Sequence, residues 1–371
     1  MAEVICPAGP LEDFIRQVCL AVGADQAASD EVAHHLVRAN LSGHDSHGVL
    51  RMAWYVTLIK QSQLKPGAQP RVVRERGATA LIDAENAFGQ YSTIVALQWA
   101  MQAAREHGIA TATVRNSMHI GRLGEYPERA GAEGLIGIIG YGAAGPGSGI
   151  VVPFGGRERF LGTNPWSFGV PVAGQYPMVY DAATSVIAEG KIRVALSKGA
   201  ELPPGCIVDE SGIPSTRPED FYAGGALLPL GGMTSGHKGY GMALTAAMIG
   251  GLSMIDSDVS GSWDLGARHG RTDGEPSGPT GHITGVTLIV IDPSFFGDGE
   301  RYSELTGATI EAVRRVKPAE GVEQVLAPGD PEERMREQRG KNGIPLPQAI
   351  WNDLAGLAAE YNVPLPEHRA G

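Results

Sequence analysis

Gly140-Tyr141-Gly142-Ala143-Ala144-Gly145-Pro146-Gly147-Ser148-Gly149 is the stretch on which the fold turns. Its first part fits G-x-G-x-x-G and follows the apolar run Leu135-Ile136-Gly137-Ile138-Ile139, which reads as a strand. In a Rossmann unit a helix begins inside the glycine motif, so that its N-terminus faces a pyrophosphate. Here Pro146, Gly147, Ser148 and Gly149 follow at once, a sequence that opens no helix. The stretch is therefore expected to be a glycine-rich loop after a strand, able to line a pocket, and a Rossmann assignment is rejected. A nucleotide site, if there is one, has to be built from other segments.

Outward from that stretch the chain alternates in texture. From Leu11 to Ile59 apolar residues recur near helical spacing, with Phe14, Val18 and Leu20, then Val32, Leu36 and Val37. After Lys65-Pro66-Gly67 the pattern changes to short apolar runs such as Ala80-Leu81-Ile82 and Ala112-Thr113-Val114, which predict strands. Helices are predicted from Tyr91 to His107 and from about Gly239 through Met248, and a strand at Val286–Ile291. The tail from Glu300 returns to helices, including an amphipathic run from Gln348 through Leu357. Ser253 to His282, rich in Gly, Ser, Asp and Arg, predicts a long surface loop. Interleaved strands and helices predict an α+β or α/β fold. The expected organisation is a helical N-terminal segment, residues 1–68, a mixed core, 69–299, and a C-terminal helical segment, 300–371, that packs with the first.

Composition narrows the classes of function. Among 371 residues no apolar run reaches the roughly 18 residues that span a bilayer, so no membrane role is expected. The start, Met1-Ala2-Glu3-Val4-Ile5-Cys6-Pro7, has neither the basic segment nor the apolar stretch of a secretory signal, and a cytoplasmic protein is expected. Cys6, Cys19 and Cys206 are far apart and without metal-ligand spacing, which fits a reducing compartment and predicts no metal site. A net charge of -11 argues against nucleic acid as a partner. An anionic substrate then needs local positive charge, for which Arg51 and Lys238 are candidates.

Five segments carry residue types suited to chemistry. In Gly43-His44-Asp45-Ser46-His47-Gly48-Val49-Leu50-Arg51, a helical conformation puts His47 and Arg51 on one face. An imidazole exchanges protons near neutral pH, and a guanidinium fork holds a carboxylate by two parallel hydrogen bonds, a pairing suited to 2-oxo acids. Asn116-Ser117-Met118-His119-Ile120-Gly121-Arg122-Leu123-Gly124 follows a strand and offers a second histidine, either as an acid or over a cofactor ring; alternatively, Asn116 and Ser117 merely cap a helix. Leu161-Gly162-Thr163-Asn164-Pro165 and Tyr180-Asp181-Ala182-Ala183-Thr184-Ser185 place small polar groups where backbone can approach a ligand, and turn chemistry explains either equally well. Ser235-Gly236-His237-Lys238-Gly239-Tyr240-Gly241 opens a predicted helix, so helix N-terminus, lysine and glycines form a candidate pyrophosphate seat or else an interdomain turn.

Taken in this order, together with Pro328-Gly329-Asp330-Pro331-Glu332-Glu333-Arg334, these segments resemble the malate/L-lactate dehydrogenase family, which lacks a Rossmann fold. Relatives in that family include ureidoglycolate and sulfolactate dehydrogenases, diketogulonate reductase and piperideine-2-carboxylate reductase. The resemblance runs from about Leu11 to Leu365. It implies a family-specific NAD(P)-binding fold with cofactor and substrate sites in the 69–299 core, usually as a homodimer, and hydride transfer between NAD or NADP and a small 2-oxo or 2-hydroxy acid. It makes His47 the proton donor supported by Ser46, and Arg51 the binder of the substrate carboxylate, with Thr163, Glu189 and Gly190 also at the substrate. It places His119, Ile120, Gly121, Arg122, Leu123, Asp181, Ala182, Ala183, His237, Lys238 and Arg334 along the cofactor, and leaves open whether His47 or His119 is the acid.

The chain departs from the family pattern at Ala188-Glu189-Gly190, where Ala-Arg-Gly is common, and this puts the substrate class in question. An aspartate follows that glycine in the imine-acid reductases. Lys191 stands there in this chain, which weakens the alternative of a cyclic imine carboxylate reductase. A metal-dependent hydrolase or lyase using His34, His35, His44, His47 and His119 is the rival from another class, although no H-E-x-x-H spacing occurs and adjacent helical histidines diverge by about 100°. A non-catalytic member of the family is the third reading, kept open by Glu189.

Overall fold

The computed structural model describes residues 3–145, 149–255 and 283–371. Strand β1 (Glu3–Cys6) leads into helices α1 (Ala8–Ala21), α2 (Gln26–Leu41) and α3 (Arg51–Lys60). Strands β2 (Arg71–Arg76) and β3 (Thr79–Asp83), helix α4 (Gly89–His107), strand β4 (Ile109–Arg115) and helix α5 (Glu125–Ala132) follow. The middle of the chain carries β5 (Ile136–Ala144), β6 (Trp166–Val170), β7 (Met178–Ala182), α6 (Glu189–Lys198), β8 (Ile207–Val208), β9 (Pro214–Ser215), α7 (Pro218–Tyr222), β10 (Ala226–Leu227) and α8 (Gly232–Gly250). Beyond it lie β11 (Ile283–Ile291), α9 (Gly299–Arg314), α10 (Asp330–Asn342), β12 (Ile344–Pro347), α11 (Gln348–Tyr361) and β13 (Arg369–Ala370). The expected interleaving of helices and strands holds. No helix of the described residues is long and apolar enough to cross a membrane.

The described residues fall into two compact units. One comprises the chain up to Ile138 with Phe168–Tyr180 and Leu288–Gly371; the other comprises Ile139–Ser167 and Asp181–Thr287. In the first unit, α1 buries Leu11, Phe14, Ile15, Val18 and Cys19, the i, i+3, i+4 stripe of an amphipathic helix. Asp25 caps α2 by accepting from the Ala28 amide at 2.8 Å. Val32, Leu36, Met52, Tyr55, Trp351 and Leu354 complete this core, so α2, α3 and α11 share it with α1. Strand β1 pairs antiparallel with both β12 and β13. The main sheet runs β2-β3-β4-β11-β5-β6-β7. Strands β3 and β4 are parallel and joined through α4, whereas β2 and β3 are antiparallel, so the sheet is mixed. Gly108, at φ +81, ends α4 in the left-handed conformation and turns the chain directly into β4.

The glycine motif is not the loop expected from the sequence. Gly140 to Ala144 continue β5. A Cβ on Gly140 would lie 2.9 Å from the Trp166 ring, and one on Gly142 would lie 2.2 Å from the Ala246 backbone oxygen. Both glycines thus admit close neighbours within the second unit, which is what an in-strand glycine commonly marks. Pro146, Gly147 and Ser148 lie outside the described residues, as does most of the predicted Ser253–His282 loop, beyond Ile255.

Candidate active site

The segment from Gly43 to Arg51 is not one helix. Asp45, Ser46 and His47 form a single 3-10 turn, Gly48 is extended with ψ -156, and Arg51 begins α3. The expectation that His47 and Arg51 share a helix face is corrected accordingly. The cause is Asn40, on α2. Its side chain accepts from the Val49 amide at 2.8 Å and donates to Asp45 Oδ1 at 2.6 Å, drawing the chain inward. A Cβ on Gly48 would come within 2.1 Å of Asn40 Oδ1, so glycine is required at this approach. Arg339, on α10, grips both carboxylate oxygens of Asp45, at 2.6 and 3.0 Å, and fixes the turn from outside.

The turn still brings the predicted groups together. Ser46 Oγ lies 2.9 Å from His47 Nδ1, and Arg51 Nε donates to the Ser46 backbone oxygen at 2.7 Å. Ser46 therefore links the arginine to the histidine, the job that the helix face was expected to do. The rings of His47 and His119 stack 5.6 Å apart at 17°. Trp54 stands edge-on to His119 at 5.6 Å and carries the Arg51 guanidinium over its face at 5.5 Å. Tyr55 Oη is 2.7 Å from His119 Nδ1, and Gln90 Nε2 donates to that same oxygen at 2.7 Å. Burial, then the Arg51 charge, pushes His47 down to about 4. His119 is driven well below its usual value by burial first and then by His47, Arg51 and His35. Both imidazoles are thus neutral around pH 7, facing a fixed cation.

Tyr55 and Gln90 escaped the sequence reading. Tyr55 had a signal, since it lies one helical turn beyond Arg51 in α3. Gln90 had none in its neighbours. It is completely buried near the start of α4, a position at which sequence patterning expects an apolar residue.

Other predicted residues of this unit serve the framework. His119 lies in the connection between β4 and α5. Asn116 and Ser117 do not cap α5: Asn116 donates to Asp83 at 2.9 Å, and Ser117 pairs with Ser92 at 3.2 Å. Ile120, Arg122 and Leu123 are buried, and Arg122 donates to Glu128 at 3.1 Å, with Glu125 at 3.8 Å. Gly121, at φ +74, passes so close to His35 that a Cβ would meet Nε2 at 2.4 Å. Arg334 is exposed on α10 and donates to Gln324 at 2.5 Å. Of the histidines considered as metal ligands, His44 faces Glu332 at 3.1 Å, His34 reaches Glu125 at 3.5 Å, and His35 is fully buried. Among the described residues no three His, Cys, Asp or Glu side chains gather as a metal-ligand set.

The second unit holds the remaining candidates. The Thr163 carbonyl accepts from the Thr184 amide at 2.8 Å and from Thr184 Oγ1 at 2.9 Å, tying the segment Leu161–Pro165 to the one after β7. Asn164, fully buried at φ +37, bonds Ala143 through both amide atoms and donates to Ala243 O at 2.8 Å. Asp181 and Ala182 end β7, and Ala183 follows, all three half-buried. Glu189 opens α6, where its Oε1 accepts from Arg193 at 2.9 Å and from the Tyr222 hydroxyl at 2.7 Å. The Glu189 carboxylate is therefore balanced locally. Gly190 is exposed with no neighbour within 4 Å of an added Cβ. Ser235 is non-helical within α8, so a fresh helical turn begins there, with His237 and Lys238 both exposed on it. An exposed ammonium and imidazole on the opening turn of a helix make a donor set that fits the phosphates of a dinucleotide.

Comparison with known proteins places the chain in a family. A family model described as malate/L-lactate dehydrogenase matches residues 7–355. Hydroxycarboxylate dehydrogenase B of Escherichia coli (strain K12) is 33% identical over 356 residues, covering 95% of this chain and 93% of its own length. Among solved structures, malate dehydrogenase from Pyrococcus horikoshii OT3 superposes with a TM-score of 0.82 at 31% identity, covering 98% of this chain and 97% of the other. Sulfolactate dehydrogenase from Methanocaldococcus jannaschii gives a TM-score of 0.82 at 31% identity, with 97% and 98% covered.

Proposed function

The chain belongs to the malate/L-lactate dehydrogenase family and is an oxidoreductase acting on hydroxy and oxo acids; from that premise we propose that His47, His119 and Arg51 form its acid–base and carboxylate-binding centre. The observation that carries the proposal is the stacked pair of neutral histidines beside Arg51, with Ser46 bonded to both His47 and Arg51.

In the oxidative direction His47 takes the hydroxyl proton, because burial and Arg51 hold its ring neutral. In the reductive direction a substrate carboxylate on Arg51 offsets the charge that depresses His47, so binding itself raises the proton affinity of the acid. Ser46 holds the Nδ1 side of the ring and leaves Nε2 for the transfer. His119, held at Nδ1 by Tyr55, contributes a second polar contact beside the reacting oxygen. Arg51 orients the 2-carbon by fixing the carboxylate next to it.

His237 and Lys238 would hold the phosphates of NAD or NADP, with the backbone at Asp181–Ala183 contributing in the same unit. The nicotinamide supplies or takes up the hydride when bound. The buried side chains of Ile120, Arg122 and Leu123 limit any cofactor contact from that segment to His119 and main chain. This reading takes the fold as a nicotinamide-binding type without a Rossmann loop, supported by the course of β5 through Gly140 and Gly142. A cofactor complex with the pyrophosphate seated on Gly140–Gly145 would overturn that part. The protein is proposed to work in the cytoplasm as a homodimer, in keeping with its three buried free thiols and with the family; light scattering that returns 38.9 kDa at all concentrations would overturn the dimer.

The test is a panel of 2-oxo acids read by NADH or NADPH absorbance, run on the wild type and on His47→Gln and His119→Gln. Turnover by the wild type, with kcat lost in His47→Gln, is expected. Near-normal kcat in His47→Gln with none in His119→Gln reverses the two roles. A panel without any turnover removes the proposal.

A further inference from the structure

We propose that Gln90 is a positioning residue: through the Tyr55 hydroxyl it sets the direction of the hydrogen bond to His119, and with it the ring nitrogen that carries the proton. The inference builds on the acid–base centre proposed above, but the place of a proton on His119 is a property of the chain without cofactor or substrate.

The argument is a count of donors. Tyr55 and Gln90 are buried, at 1% and 0% exposure, so no solvent intervenes. The Tyr55 oxygen lies 2.7 Å from Gln90 Nε2 and 2.7 Å from His119 Nδ1. An amide nitrogen only donates, and a phenol has one proton. Gln90 therefore gives its N–H to the phenol oxygen, and the phenol gives its proton to His119 Nδ1. A neutral imidazole that accepts at Nδ1 carries its own proton on Nε2. His119 is thereby fixed as an Nε2–H donor, suited to holding a substrate oxygen rather than taking a proton from it.

A second observation shows what the opposite setting would require. Gln90 Oε1 is buried and has no hydrogen-bond partner among the described residues. Turning the amide over would bring this oxygen to Tyr55 as an acceptor; the phenol proton would move to it, and the phenol oxygen would accept from a proton on His119 Nδ1. The unused oxygen is the group that the opposite setting needs. The proton position on His119 therefore depends on which end of the Gln90 amide faces Tyr55, and in this structure it is the nitrogen. Gly121 leaves room for this amide, since a Cβ there would stand 3.3 Å from Gln90 Nε2. The three groups come from α3, α4 and the connection before α5, so the setting depends on how those elements pack.

The experiment is long-range proton–nitrogen correlation NMR of the 15N-labelled, cofactor-free protein near neutral pH, with His119 assigned by the signals lost in His119→Gln. The wild type should show a single tautomer, with an acceptor-type Nδ1 and a proton-bearing Nε2. Gln90→Met, which keeps the bulk and removes the donor, should move both nitrogens toward averaged positions and lower kcat more than it changes KM. Tyr55→Phe, which removes the intermediate hydroxyl, should also lose the single tautomer, and it decides the matter if Gln90→Met does not fold. A proton on Nδ1 in the wild type, or a His119 spectrum unchanged by Gln90→Met or by Tyr55→Phe, overturns the proposal. A substrate panel without turnover would leave the tautomer result standing, so the two readings fail separately.

Discussion

At the scale of the residue, the carboxylate-binding role proposed for Arg51 makes the strictest geometric demand. A planar guanidinium presents two parallel donors to a carboxylate, whereas lysine offers a point charge on a flexible stem. Loss of one charge-assisted hydrogen bond costs about 1.5–3 kcal/mol, roughly tenfold to a hundredfold or more in kcat/KM. Arg51→Lys is therefore expected to slow turnover of a 2-oxo acid by that factor while leaving nicotinamide affinity nearly unchanged. Comparing the acid with its amide makes the test specific. The wild type should prefer the acid and the variant should lose most of the preference; an unchanged ratio would place the carboxylate elsewhere. His47, His119 and Arg51, which the structure brings together, stood out as candidates in the sequence because their side-chain chemistry is rare and task-specific. Gln90 was not, because an amide becomes informative only when its partner, Tyr55, is seen beside it.

At the scale of the element, the site depends on a break rather than on a helix. Gly48 lets the chain leave the 3-10 turn in an extended conformation and press against Asn40. Gly48→Ala would put a methyl group where Asn40 Oδ1 now stands, displacing the amide that holds Val49 and Asp45. Overpacking of this kind costs about 1–3 kcal/mol. The expected outcome is a lower thermal midpoint together with a larger fall in kcat than in nicotinamide affinity, since Ser46 and His47 move with the turn. A variant with wild-type midpoint and kcat would show that the approach of Gly48 to Asn40 is not what shapes the turn. Local spacing suggested a helix here because the partners that impose the turn, Asn40 and Arg339, sit on other elements. The same blindness applied to β5. Glycines spaced as a phosphate loop proved to be in-strand contacts for Trp166 and Ala246, and only three-dimensional neighbours distinguish the two uses.

At the scale of the whole molecule, buried histidines link stability to pH. His35 is fully buried, and desolvation pushes it down to about 3 from an ordinary 6.5; His47 falls to about 4 for the same first reason. For both, the unfolded chain binds the proton more readily, so stability is fully present above about 6.5 and is lost as pH falls toward the folded values, by about 1.4 kcal/mol per pH unit for each group. His34 has the opposite sign: Glu12 and Glu125 raise it to about 9, so its contribution is present below 6.5 and is lost as pH rises through 9. His35→Leu should flatten the acid-side loss of stability between pH 6.5 and about 4 by one proton's worth, read from denaturant midpoints across that range. Equal slopes in variant and wild type would show that His35 does not titrate with unfolding. The alternation of helices and strands was open to sequence reading because core burial imposes its periodicity on the chain. The division into two discontinuous units was not, because it is set by which distant segments meet.

That discontinuity orders events during synthesis. Among the described residues, strand Glu3–Cys6 pairs with Ile344–Pro347 and Arg369–Ala370. A growing chain on the ribosome therefore exposes an unmatched strand edge, and an incomplete helical core awaiting Trp351 and Leu354, until almost all of these residues have been translated. The segment that carries Ser46, His47 and Arg51 gains the clasp of Arg339 equally late. The proposed acid–base centre thus lacks its full support in a nascent fragment until Arg339 and the two strands that pair with Glu3–Cys6 have been made.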